Sequence, residues 1–161
     1  MTSLPESLTG KIIATSEVES RAWVRPLVFT KGVFDVLHRG HVTYLSVARE
    51  LGATLLIGVN SDGSARGLGK GPDRPLNGEM DRMLVMAALA SVSYVVLFDE
   101  PTPCELIERV KPDVYVKGGD YDMEALRETQ LVRSWGGRSL AIPFVEGYST
   151  TSLVRRIRGG A

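Results

Sequence analysis

The sequence holds a single cysteine, Cys104, in 161 residues. No intramolecular disulfide can form, which excludes a disulfide-stapled secreted domain and suits a reducing compartment. It has no surplus of either charge: Lys and Arg number 19, and so do Asp and Glu. A chain that wraps nucleic acid carries a basic excess, so no nucleic-acid partner is expected. A small anionic ligand remains open, because it needs only a few local cations. No apolar run approaches the roughly 20 residues of a membrane span. Residues 1–6 lack the basic stretch and apolar core of a signal peptide, so a cytoplasmic protein without membrane attachment is expected. Internal repeats and low-complexity segments are absent, and there are only two histidines.

What is present is a regular alternation. Residues 1–25 are weakly periodic and read as a short helical extension, leaving 26–161 as the main domain. Short apolar runs at Leu27–Thr30, Thr54–Val59, Tyr94–Phe98, Val114–Val116 and Ser139–Ile142 read as five strands. Helical spacing connects them over His41–Leu51, with Val42, Leu45, Val47, Ala48 and Leu51 inward. It recurs over Gly78–Ala90, Cys104–Val110, Met123–Trp135 and Ser149–Ile157. Residues 61–75, rich in glycine, read as one long loop. Cys104 reads as a packing residue. Strand alternating with helix predicts an α/β fold: a Rossmann-like, doubly wound, five-stranded parallel sheet with helices on both faces. Ligands in such sheets sit beyond the carboxyl ends of the strands.

The chemistry-bearing stretch follows the first strand: Thr30-Lys31-Gly32-Val33-Phe34-Asp35, then His38-Arg39-Gly40-His41. Gly32 permits a tight turn and a close approach to a ligand. His38 and His41 are three apart, so one helical turn brings them to one face. The next helix starts here, and helix N-termini favour phosphate. Both histidines in one H-x-G-H after a strand and a glycine turn argue against two incidental surface residues. A zinc pair would need further Cys or His ligands, so no protein-held metal is expected.

The H-x-G-H segment resembles the motif of the nucleotidyltransferase superfamily that includes cytidylyltransferases and pantetheine-phosphate adenylyltransferase. The resemblance is stronger to the adenylyltransferase domain of bacterial ADP-heptose synthases and covers about Leu27 to Ile157. Its further pieces are Gly58–Asp62, Lys70–Asn77, Asp81-Arg82, Pro112–Tyr121 and Val145–Thr151. Lys117-Gly118-Gly119-Asp120-Tyr121 and Glu146–Thr151 carry the heptose branch. The resemblance implies an adenylyltransferase joining ATP, as its Mg²⁺ complex, to D-glycero-β-D-manno-heptose 1-phosphate, with ADP-heptose and pyrophosphate as products for lipopolysaccharide core assembly. It also implies a homo-oligomer, and a separate heptose 7-phosphate kinase upstream.

In that reading His38, His41, Lys70 and Lys117 are the catalytic cations and donors. Thr30, Gly32, Phe34, Asp35, Arg82, Gly118, Asp120, Ser149, Thr150 and Thr151 line the nucleotide. Arg82 is expected at a phosphate, which would offset its place early in a helix. Asp35 either orders its turn or approaches a metal. Asp120 either meets a sugar hydroxyl or holds its turn. Ser149, Thr150 and Thr151 cap the last helix and bind the β- and γ-phosphates. Three departures stand out: Lys31 where relatives carry Asn, Val33 where many carry Cys, and Ser93 where many carry Asp. Phe144-Val145 replaces the Arg that cytidylyltransferases carry before Glu-Gly, which disfavours the cytidylyltransferase alternative. A non-catalytic nucleotide-binding subunit is the other alternative.

Overall fold

Alternation along each strand builds two cores. In a computed structural model, residues 4–69 and 71–159 are described. In chain order the elements are α1 (Glu6–Thr9), β1 (Ile12–Ile13), β2 (Leu27–Gly32), α2 (Arg39–Glu50), β3 (Thr54–Asn60), α3 (Asp62–Gly67), α4 (Glu79–Ala87), β4 (Tyr94–Phe98), α5 (Cys104–Val110), β5 (Val114–Gly118), α6 (Arg127–Arg133), β6 (Arg138–Ile142) and α7 (Thr150–Ile157). Successive strand residues point to opposite faces. Val28, Leu55, Ile57, Val59, Val114 and Val116 therefore meet Tyr44, Leu45 and Ala48 of α2 and Met83, Met86 and Ala87 of α4. Leu27, Phe29, Leu56 and Tyr115 meet Leu106, Ile107 and Val110 of α5 and Val132 of α6. A strand covered on both sides reads as unbroken apolar sequence, and β3 is buried from end to end.

The strands are all parallel, in the order β1-β4-β3-β2-β5-β6. The chain leaves β2 toward β3 and β4, then returns to place β5 and β6 on the other side. β2 and β5 are neighbours, so the topological switch lies between their carboxyl ends, at Lys31-Gly32 and Lys117-Gly118. That crevice is where the fold positions a ligand.

The structure departs from the expected elements in four places. The sheet has six strands rather than five among the described residues, because Ile12–Ile13 pairs with Val95 and Val96 of β4. Two residues carry no readable period; Lys11 ties the segment down by donating to the carbonyls of Val92 (2.9 Å) and Leu89 (3.3 Å). The expected loop 61–75 opens with α3, whose N-cap Ser61 hydroxyl accepts from the Ser64 amide at 3.0 Å. The expected helix Met123–Trp135 is a 3₁₀ turn, Met123–Ala125, and then α6, separated by Leu126 in extended conformation. Val42 and Val47 of α2 face solvent, and Tyr44 takes the inward position between His41 and Leu45. Cys104 is buried, as a packing residue should be.

Candidate active site

The turn after β2 is built from inside outward. Phe34 holds a left-handed backbone (φ 51°) although it is not glycine, a conformation that persists only where surroundings impose it. Its ring is buried and stands edge-on to the His41 ring, centroids 5.6 Å apart. A side chain on Gly32 would meet that ring at 3.0 Å, so glycine there is a packing requirement.

His38 is the N-cap of α2 and Gly40 and His41 lie in its first turn. The His38 carbonyl accepts from the amides of His41 (2.9 Å) and Val42 (3.3 Å). The two imidazoles stack, with centroids 3.9 Å apart and planes at 29°. A Cβ on Gly40 would come within 3.0 Å of the His38 ring, so only glycine lets the pair close up. His38 Nδ1 is buried and has no hydrogen-bond partner among the described residues. Such an atom is costly unless a ligand or water completes it.

Burial holds the His38 imidazole below the ordinary histidine range. The unfolded chain therefore takes up the proton first, and acid favours the unfolded state. Stability should fall as pH drops from about 7 to about 5.5, on either side of the unperturbed value near 6.5. Urea midpoints across that range should show the slope, and His38→Gln should flatten it. An identical slope in the variant would remove the assignment.

α7 brings the last block to the same place. The Ser149 hydroxyl caps α7, accepting from the Ser152 amide at 3.1 Å. Thr150 donates to the Val36 carbonyl at 3.3 Å, which docks the helix start on the turn leading to His38. Arg39 lies over the Tyr148 ring at 5.5 Å from its centroid. The N-termini of α2 and α7 thus converge at one end of the crevice. Thr151 is exposed and lines a depression of about 370 Å³ with Arg155 of the same helix, Arg158 at its C-cap, and Arg74. On the β5 side, the Lys117 ammonium sits 3.7 Å from the Tyr121 ring centroid. Gly118 and Gly119 follow, Gly119 with φ 115°, and Asp120 is exposed.

Three expected ligand contacts are corrected. Thr30 is fully buried, and its hydroxyl is hydrogen-bonded to Tyr44, which also donates to the Val116 carbonyl at 3.3 Å. Asp35 is turned inward: it accepts from Arg74 Nε (2.5 Å) and from the amides of Leu76 (2.8 Å) and Asn77 (2.9 Å). Burial alone would raise its pKa, but those two amides and the Arg74 guanidinium outweigh burial and hold the carboxyl below its usual range. Asp35 therefore orders the turn rather than meeting a metal. Arg82 is 1% exposed. It donates to the carbonyls of Asn77 (3.0 Å), Val33 (2.6 Å) and Asn60 (2.8 Å) and to Asp62 Oδ1 (2.7 Å). Four of its five N–H groups face protein acceptors, so the cation braces the site from behind and does not reach a phosphate. Lys70 lies outside the described residues.

Sequence reasoning assigned no role to Arg74, Asn77 or Tyr44. Arg74 and Asn77 stand in the quoted Lys70–Asn77 block, yet only tertiary structure joins that block to Asp35. Tyr44 was legible as the residue one helical turn after His41. Among the described residues no three of His, Cys, Asp or Glu converge to hold a metal, and no helix is long and apolar enough to cross a membrane.

The pattern of the cytidylyltransferase-like family matches residues 29–156. D-beta-D-heptose 1-phosphate adenylyltransferase of Bordetella bronchiseptica is 62% identical over 136 residues, 84% of each chain. The bifunctional protein HldE of Syntrophotalea carbinolica is 52% identical over 141 residues, 88% of this chain and 28% of its own length. The chain thus spans little more than a quarter of such bifunctional relatives. Among solved structures, a lipopolysaccharide core biosynthesis protein from Thermoplasma volcanium aligns with a TM-score of 0.63 at 28% identity, covering 76% of this chain and 98% of that one. Pantothenate synthetase from Thermus thermophilus shares the fold at a TM-score of 0.59 and 15% identity, covering 84% and 62%.

Proposed function

Because this chain belongs to the cytidylyltransferase-like family, we propose that it is an adenylyltransferase that joins ATP and D-glycero-β-D-manno-heptose 1-phosphate into ADP-heptose and pyrophosphate. The observation that carries the reading is the stacked His38–His41 pair at the start of α2, with an unpartnered His38 nitrogen, beside the β2–β5 switch. The 62% identity to a heptose 1-phosphate adenylyltransferase supports the sugar.

Nucleotidyl transfer needs no covalent enzyme intermediate. A phosphate oxygen of the sugar 1-phosphate attacks the α-phosphorus of ATP in line. A new P–O bond forms, the bond to the α,β-bridging oxygen breaks, and pyrophosphate carries that oxygen away. Charge gathers on the phosphoryl oxygens, so catalysis consists of positioning and electrostatic stabilisation. His38 and His41 donate hydrogen bonds around the α-phosphorus. Lys117, and Lys70 from its glycine-rich segment, supply positive charge. Gly32 and Gly118 border the nucleotide at the ends of β2 and β5, and their missing side chains leave room for the rings of Phe34 and Phe144. Asp120 meets a sugar hydroxyl. The amides at the start of α7 and the hydroxyls of Ser149 and Thr151 receive the β- and γ-phosphates, Thr150 contributing its amide while its hydroxyl holds Val36. Mg²⁺ bound to the triphosphate would neutralise phosphate charge, and Asp35 would not hold it, because its oxygens accept from Arg74, Leu76 and Asn77.

Residues 26–161 form the catalytic domain in this reading, and the enzyme works in the cytoplasm as a homo-oligomer. A separate kinase leaves the sugar phosphorylated for it. The test is pyrophosphate release with ATP and with CTP against a panel of sugar 1-phosphates. ATP with the heptose 1-phosphate should give the highest kcat/KM. A clear preference for CTP with every acceptor would sink the assignment.

A further inference from the structure

An exposed aromatic ring rests against the chain beside the crevice, and no part of the mechanism above uses it. Phe144 follows β6 and is 54% exposed. A methyl group built on Gly118 would come within 2.7 Å of its Cε1, and one on Gly119 within 2.8 Å of its Cε2. The ring therefore rests against two consecutive glycines and leaves much of its surface to solvent. Those glycines are held in register: Gly118 pairs with Ile142 at the end of β6, and the Gly119 amide donates to the Ile142 carbonyl at 2.8 Å. Tyr121 touches the same backbone, 3.2 Å from the position of a Cβ on Gly119. The aromatic surface is thus positioned by the strand ends.

The ring lies on the side of the sheet against which α2 packs. The Gly118 Cβ position lies 3.3 Å from the Tyr44 ring, and Tyr44 follows His41 by one helical turn. Exposed aromatic faces beside a nucleotide site are a common platform for a planar base.

We propose that Phe144 is the stacking platform for the nucleobase of the bound nucleotide, seated on Gly118-Gly119 as its backing. The inference rests on the reading that ATP is the nucleotide. A purine covers more of the ring than a pyrimidine does. Phe144 is in this role a specificity residue that stands apart from the shared phosphate chemistry.

The test measures equilibrium binding of ATP and of inorganic tripolyphosphate, without any sugar phosphate, to the wild type, Phe144→Ala and Phe144→Trp. Phe144→Ala should weaken ATP about tenfold, within the range that one base–aromatic stack contributes. It should leave tripolyphosphate within about twofold, since that anion has no base, and Phe144→Trp should retain ATP affinity. An unchanged ATP affinity in Phe144→Ala overturns the proposal. So does equal weakening of ATP and tripolyphosphate, which would make the ring only a prop for the glycine turn. Because no sugar is present, either failure leaves the heptose assignment to the turnover panel.

Discussion

Replacing His38 or His41 by alanine is expected to lower kcat by about 10²–10³-fold, the effect of removing one preorganised donor from a developing charge. Binding of ATP should change far less, because the histidines are placed for the transition state rather than the ground state. The two rings stack at 3.9 Å and act as one unit, so the double variant should be little slower than either single one. Loss of fold is not the expected cause. The His38 side chain makes no capping bond to α2, and thermal melts of the variants should stay close to the parent. Single-turnover rates with saturating ATP and sugar phosphate are the measurement. Near-parental rates in both single variants would remove the mechanism.

The second large effect is on stability. Arg82→Met should cost about 3–5 kcal/mol, the range for breaking a buried ion pair by removing one partner. The substitution strands the Asp62 carboxylate and the carbonyls of Val33, Asn60 and Asn77 around an apolar side chain. In a domain of this size that corresponds to a fall in Tm of roughly 6–20 °C. Arg82→Lys keeps the charge but cannot span four acceptors in a plane, so it should fall between. Calorimetric melts and ATP titrations of the same samples separate the two roles. A variant with parental Tm and lost ATP binding would restore Arg82 to the phosphates.

Arg82 and Asp35 show why the site was only partly readable. Both stand in blocks that mark the family, and both are charged residues beside the turn that follows β2. Whether such a residue faces a ligand or braces the turn from behind is a matter of side-chain direction. That direction depends on which carbonyls and amides the fold brings within 3 Å. Asp35 meets the amides of residues 76 and 77, about forty positions away. No local pattern encodes that contact. Thr30 fails for the same reason: its partner Tyr44 is on the next helix, packed on the face of the sheet. The reverse holds for His38, Gly40 and His41, whose spacing of three in a nascent helix is enough to bring the rings to one face.

Among the elements, five strands and α5 were legible because apolar runs of three to six residues and helical spacing over seven are patterns local to the chain. β1 was not, since two residues hold no period and their pairing with β4 is made by a segment more than eighty positions distant. The interrupted helix at Leu126 and the short α3 belong to the same class, where local capping by Asp122 and Ser61 outweighs periodicity.

By itself, then, the sequence determined the alternating parallel architecture, the place of the crevice and the identity of the two histidines, because periodicity and spacing are local properties of a chain. Tertiary structure alone decided which charged residues face the crevice and which hold it up, and that Phe144 lies open on a glycine backing. Those outcomes depend on burial and hydrogen bonding between segments far apart in the chain, which the fold brings together and no short stretch of sequence specifies.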